Sequence, residues 1–182
     1  MSAEWVTAVA TVFTALVIGA SAIAALMQLR HMRSGNQISA YNECRETMDR
    51  PEFSNALAFI RNELPQRLQD PAILAQLANY GFRDEYAGIR LVANLFESMG
   101  LFVRTGMMEE RIACELWSGI ILSVWFSLRP LTAAARAKSG AGVWVNFEYM
   151  ALLAQRFLAT LDNDGYPAGA ERMPLVDLPG QK

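Results

Sequence analysis

The chain has 182 residues, 53% of them hydrophobic, with 16 Lys and Arg against 18 Asp and Glu. A formal charge of −2 argues against a general nucleic-acid binder, which carries a basic excess. Cys44 and Cys114, the two cysteines, lie far apart without ligands at metal-site spacing, so neither a disulfide framework nor a zinc site is indicated.

The first element is the most informative. No residue from Trp5 to Leu29 is charged, and Arg30-His31-Met32-Arg33 follows at once. At about 1.5 Å of rise per residue, a helix over this run crosses a hydrocarbon core of about 30 Å. A signal peptide would begin with a basic region and carry a shorter apolar stretch. Here only Glu4 and the terminal amine precede the run, which continues past the cleavage-like Ala20-Ser21-Ala22 through Ile23, Leu26 and Leu29. We read residues 1–33 as a transmembrane anchor with a basic collar, 34–161 as a cytoplasmic helical domain and 162–182 as a flexible tail. Arg30, Arg33, Arg45 and Arg50 all follow the span and no basic residue precedes it, so the positive-inside rule sets the N-terminus outside and the bulk of the chain in the cytoplasm. Trp5 suits an interfacial anchor at the outer end.

Ala8, Thr11, Ala15, Gly19 and Ala22 recur at steps of three and four and form a stripe of small side chains. Such stripes let helix backbones approach closely in lipid, which suggests a homo-oligomer through the anchor; an Ala-rich helix also produces them by chance. The collar, with the single histidine His31, falls short of the roughly 4–8 bases that mark anionic-lipid recognition.

Beyond the anchor the apolar period stays near 3.6. Ser34-Gly35-Asn36 reads as a hinge or cap before a helix of about 37–49. Pro51 suits the first turn of a helix carrying Phe53, Leu57 and Ile60, which Pro65 terminates. Asp70-Pro71 is an N-cap and first-turn proline, opening a short helix that stops near Gly81. Asp84 begins an amphipathic helix with Ile89, Val92, Phe96, Met99 and Val103 along one side and Gly106 as its C-terminal cap. A segment of about 108–138 opens with Glu109 and Glu110, and its uncharged centre, Leu116 to Leu128, is too short to span a bilayer and reads as the central buried helix of a bundle. Pro130 should kink or end it. Ser139-Gly140-Ala141-Gly142 is a turn, and a last helix of about 143–161 brings Phe147, Met150, Leu153 and Phe157 to the core. Asp162-Asn163-Asp164-Gly165 begins like a calcium loop, but Met173 occupies the slot that needs a bidentate Glu. The fold class is all-α: one transmembrane helix followed by a bundle of about five helices.

Three stretches carry a resemblance: Asn94-Leu95-Phe96-Glu97-Ser98-Met99-Gly100-Leu101-Phe102-Val103-Arg104-Thr105-Gly106, the Leu116-to-Pro130 segment ending Trp125-Phe126-Ser127-Leu128-Arg129-Pro130, and Asn146-Phe147-Glu148-Tyr149. Together with the anchor and its Leu29-Arg30 exit, they resemble an uncharacterised bacterial family, domain of unknown function 4760. The resemblance implies a short, single-pass protein of the bacterial inner membrane, helical after its anchor. It brings no activity, cofactor or catalytic residue.

The chemically suggestive side chains lie in these motifs. Arg90, Asn94, Glu97 and Arg104 share one stripe of a helix, Glu115 and Arg129 lie on the next and Asn146 and Glu148 on the last. Antiparallel packing would bring Glu97 and Glu115 near Arg104 or Arg129, and two carboxylates with an Arg can perform acid–base work or hold a divalent cation. Charges facing a bundle interior more often pair to set register. No cofactor or metal site is indicated. Trp117 and Trp125 share nearly one face, filling a core or lining an apolar pocket. The expectation is a non-enzymatic module presenting an interaction surface at the membrane, for a protein partner the sequence does not name. The alternative is a membrane-tethered enzyme or ligand sensor using the Glu/Arg cluster.

Overall fold

A computed structural model describes the backbone of residues 3–79, 86–161, 165–166 and 169–173, and the side chains of all of these except 29–36. The described residues form helices and turns without strands. Seven helices follow in order: α1 (Ala3–Met48), α2 (Pro51–Asn62), α3 (Leu64–Arg67), α4 (Pro71–Ala78), α5 (Ala87–Arg104), α6 (Glu110–Ser139) and α7 (Val145–Ala159). The all-α architecture expected from the period is the one observed.

Helix α1 has two parts with opposite surroundings. Residues 3–28 are exposed throughout: Trp5, Phe13, Leu16 and Ile18 are each more than 60% exposed. The hydroxyls of Thr7, Thr11, Thr14 and Ser21 donate to carbonyls four residues earlier, so this stretch satisfies its own polar groups. Ala3–Gln28 is long and apolar enough to cross a membrane, a property that signal sequences share. At the other end, Ala40 and Cys44 are buried in the bundle core. Between these parts the expected break at Ser34-Gly35-Asn36 is absent, and α1 is one helix of 46 residues. A single glycine costs a helix about 1 kcal/mol, too little to interrupt a run supported on both sides.

Local signals set most of the remaining boundaries. Pro51 starts α2. Pro65 follows its end and sits in the first turn of the one-turn α3. Asp70 caps α4, its Oδ1 accepting from the Ala72 N–H at 2.8 Å. The expected stop at Gly81, the Asp84 start and the Asp162–Asp164 segment lie outside the described residues. Helix α5 ends in a Schellman turn: the Gly106 N–H donates to Val103 O at 3.1 Å, the Met107 N–H donates to Phe102 O at 2.9 Å, and Gly106 takes φ of 73°. Of the kink or end expected at Pro130, the end does not occur, since α6 runs through it. Pro130 and Phe126, whose carbonyl four residues earlier loses its helical donor, are both exposed.

The core forms where α7 lies against α5 and α6, with α2 on the other side of α5. Ile89, Val92, Phe96 and Met99 are fully buried and Val103 nearly so, the stripe expected of α5. Phe147 is its hub, its ring 5.2 Å from both Phe96 and Trp125. Met150 and Leu153 follow it inward, whereas Phe157 is only partly buried. Helix α6 buries one face through Ile121, Val124 and Leu128 and leaves Leu116 and Phe126 exposed, so its centre is half-buried rather than enclosed.

Candidate functional site

Three of the polar residues of the sequence motifs, Glu97, Asn146 and Glu148, lie at one place, the N-terminus of α7. A short turn, 140–144, reverses the chain there, with Gly140 at φ 95° and Trp144 in the left-handed region at φ 49°. A left-handed Trp is unfavourable by about 1–3 kcal/mol unless its surroundings hold it. Here Trp144 is buried, and the Arg136 guanidinium reaches back across the turn, donating from Nε to Val143 O at 2.9 Å and from Nη2 to Trp144 O at 3.5 Å. Nη1 of Arg136 pairs with Glu148 at 2.8 Å, joining the last turn of α6 to the first turn of α7.

Glu97 meets the same helix end from α5. Its Oε1 accepts from Asn146 Nδ2 at 2.7 Å and its Oε2 from the Phe147 N–H at 2.8 Å. A carboxylate on a free N–H of a first helical turn, where the helix dipole is positive, is a cap supplied by a different helix. Gly100 makes it possible: a Cβ there would fall 2.0 Å from Asn146 O, so only glycine admits the α7 backbone this close. Asn146 Oδ1 is shielded from solvent with no hydrogen-bond partner among the described residues. Both oxygens of the Glu97 carboxylate are engaged by donors at the start of α7.

The other expected partners do not join this node. Arg90, Asn94 and Arg104 lie on the exposed side of α5. Glu115 pairs with Arg111 of its own helix at 3.1 Å, on the surface. Arg129 lies 5.8 Å over the ring of Phe126. Glu97 and Glu115 therefore do not come together around Arg104 or Arg129. The reason is topological: α5 packs mainly on α7 and α2, and touches α6 little. Arg136, Trp144 and Gly100 were missed. A usable signal was present, since opposite charges at Arg136 and Glu148 flank a Gly-rich reversal that brings them face to face.

Beside the node a groove of about 580 Å³ opens between α6 and α7, lined by Trp125, Phe126, Arg129, Glu148, Tyr149 and Leu152 among others. Trp117 does not line it and instead meets Tyr41, ring centres 6.0 Å apart. The small stripe of α1 is fully exposed, and a Cβ at Gly19 would meet nothing within 4 Å. Among the described residues no group of three or more His, Cys, Asp and Glu could hold a metal ion.

Both thiols are buried, and desolvation pushes Cys44 and Cys114 each up to about 11, with Glu43 and Glu110 adding smaller upward pushes. The Tyr41 hydroxyl donates to Glu109 O at 3.1 Å and accepts from the Glu109 N–H at 2.9 Å, fastening α1 to the start of α6. Its pKa is raised, chiefly by desolvation.

Comparison with curated proteins and with solved structures finds no match. The family described as Domain of unknown function (DUF4760) matches residues 15–153, well over half of the sequence, and the chain belongs to that family.

Proposed function

We propose that the chain is a single-pass, membrane-anchored, non-enzymatic module that presents its helical bundle on the cytoplasmic face of a bacterial inner membrane. One observation carries the reading: residues 3–28 are wholly exposed and apolar, yet belong to the same unbroken helix that buries Ala40 and Cys44 in the bundle. Exposed Val, Leu, Ile and Phe on every side of a helix suit lipid, not water. Cleavage near Ala22 would discard the span, but α1 would still enter the bundle at its far end, so the test addresses the mature length directly. The chain should stay in membranes through alkaline extraction at its full mass. A tag after Lys182 should yield to protease only once the inner membrane is opened. Release into the soluble fraction, or a mass lacking the first 20-odd residues, overturns the reading.

The interaction surface, and assembly through the small stripe with a second copy or another membrane helix, belong to the same proposal. Affinity capture of the full chain in mild detergent, with mass measured in solution, tests them. A defined oligomer or a reproducible partner is expected, and a lone monomer counts against the module.

A second reading, a small-ligand sensor, is favoured by the α6–α7 groove, where aromatic rings and the charged Arg129 and Glu148 adjoin. It separates from the first through Arg129→Gln, a change in the groove lining at an exposed residue that should alter stability by no more than about 0.5 kcal/mol. If that variant keeps its stability but loses thermal stabilisation by a small amphiphile, the sensor is favoured. Glu97→Gln, outside the groove, should lower stability by about 1.5–3 kcal/mol on chemical denaturation through loss of a charge-assisted bond at the α7 N-terminus.

A further inference from the structure

The geometry points to one end of the bundle, formed by the α5–α6 turn, the start of α6 and the end of α7, as a lipid-facing surface seated over phospholipid headgroups. This rests on the membrane reading of α1 given above. Because α1 is unbroken from Ala3 to Met48, the direction of its exposed half fixes which way the bundle faces.

The contacts along α1 give that direction. Tyr41 is bonded to Glu109, just past the C-terminus of α5. Two turns further from the span, Thr47 shares a groove with Leu91, Asn94 and Ser98 in the first two-thirds of α5. Helix α5 therefore runs back along α1, toward the bilayer, and its C-terminal turn is the membrane-side end. The end of α7 lies there too, since Arg156, Phe157 and Thr160 line a cleft of about 430 Å³ with Glu109, Glu110 and Arg111.

Distance and chemistry agree with contact. Tyr41 stands eleven residues beyond Arg30, about 16 Å along a helix. The headgroup layer occupies about 5–7 Å of that. A helix tilt of about 20° toward the bundle lowers a point about 10 Å off its axis by about 3 Å, and the long side chains of Arg104 and Arg156 reach across the remaining few Å to the headgroups. Met107 at the turn is 47% exposed, and Ile112 and Leu158 nearby are 39% and 40% exposed. Arg104 and Arg156 are exposed with no ion-pair partner among the described residues, whereas Arg111 is paired with Glu115. Free guanidinium groups suit lipid phosphates. Glu109 and Glu110 beside them suit the ammonium groups of zwitterionic headgroups, so the matching surface carries both charges rather than a purely anionic one.

The test places single spin labels on the full chain in lipid nanodiscs of phosphatidylethanolamine and phosphatidylglycerol, with C44A and C114A as background. Labels go at Ala15→Cys, Met107→Cys and Leu91→Cys, and relaxation is measured with nickel chelate tethered to headgroups and with dissolved oxygen. Oxygen should dominate at position 15. Headgroup nickel should act several-fold more strongly at 107 than at 91, and Arg104→Gln with Arg156→Gln should reduce it at 107 while leaving 15 unchanged. A water-exposed label at 15 overturns the membrane reading itself. A lipid-buried label at 15 with 107 no closer to the headgroups than 91 overturns the lipid-facing surface alone. An unchanged nickel effect in the double Arg variant overturns the assignment of the two arginines.

Discussion

Among the described residues two helices are long and apolar enough to cross a membrane, and they differ in how far the rest of the chain covers them. None of the qualifying stretch of α1 is buried by the rest of the chain, against 33% of that of α6. Helix α6 buries Ile121, Val124 and Leu128 on one face and exposes Leu116, Phe126, Arg129 and Lys138 elsewhere, whereas residues 5–28 are uncharged and carry large apolar side chains on all sides. Length and hydropathy thus do not distinguish a helix exposed on all sides from one that packs into a core. The angular distribution of the apolar side chains does.

The strongest way to break this contrast is to truncate one aromatic in each region. Phe147→Ala, at the hub of the bundle, should cost about 3–5 kcal/mol in denaturant unfolding, while Phe13→Ala, 67% exposed, should leave bundle unfolding unchanged. Equal effects would mean that residues 3–28 belong to the folded core.

Alkaline pH provides the next comparison, because both thiols lie in the bundle half. Their pKa values are raised in the folded state, so the folded chain holds protons that the unfolded chain has released. The stabilisation is complete below the ordinary value of 9.0 and is lost as pH rises through about 11. A loss on the order of 2 kcal/mol per thiol is expected across that window, and C44A with C114A should flatten the curve. A wild-type curve that is already flat would place the thiols in water.

Glycine gives a finer contrast. Gly100→Ala drives a methyl group into the α7 backbone and should cost about 1–3 kcal/mol. Gly19→Ala meets open space and should leave bundle stability unchanged while adding helix propensity. The smallest effect belongs to Tyr41→Phe, which removes two hydrogen bonds to Glu109. It should cost about 1 kcal/mol and raise hydrogen exchange at the Glu109 amide.

What was legible in the sequence follows the same division. The Ile89-to-Val103 stripe could be read because burial on one side imposes a 3.6 period, and Asp70-Pro71 because a cap acts on its own neighbours. The reading failed where a local breaker was opposed by long supports: Gly35 sits inside a continuous α1, and of the two outcomes expected at Pro130 the end of α6 does not occur. The polar residues were found in part. Glu97 meets Asn146 while Glu148 nearby pairs with Arg136, but these partners depend on α5 choosing α7 over α6, and no spacing along one helix encodes that choice. Arg136 escaped because it lies outside the uncharged α6 centre that drew attention.

The continuity of α1 also converts residue count into angle. Ala8 and Cys44 are 36 residues apart and Ala22 and Ala40 are 18, about ten and five full turns at 3.6 residues each. The small-residue stripe and the bundle therefore share one azimuth on the same shaft. Two copies joined in parallel along that stripe would swing their bundles into the same space unless the two helices cross and splay the bundles apart. A helix from a different protein, carrying no mass on that side, meets no such obstruction. One residue inserted between Arg30 and Asn36 would rotate the bundle by about 100° and release the conflict.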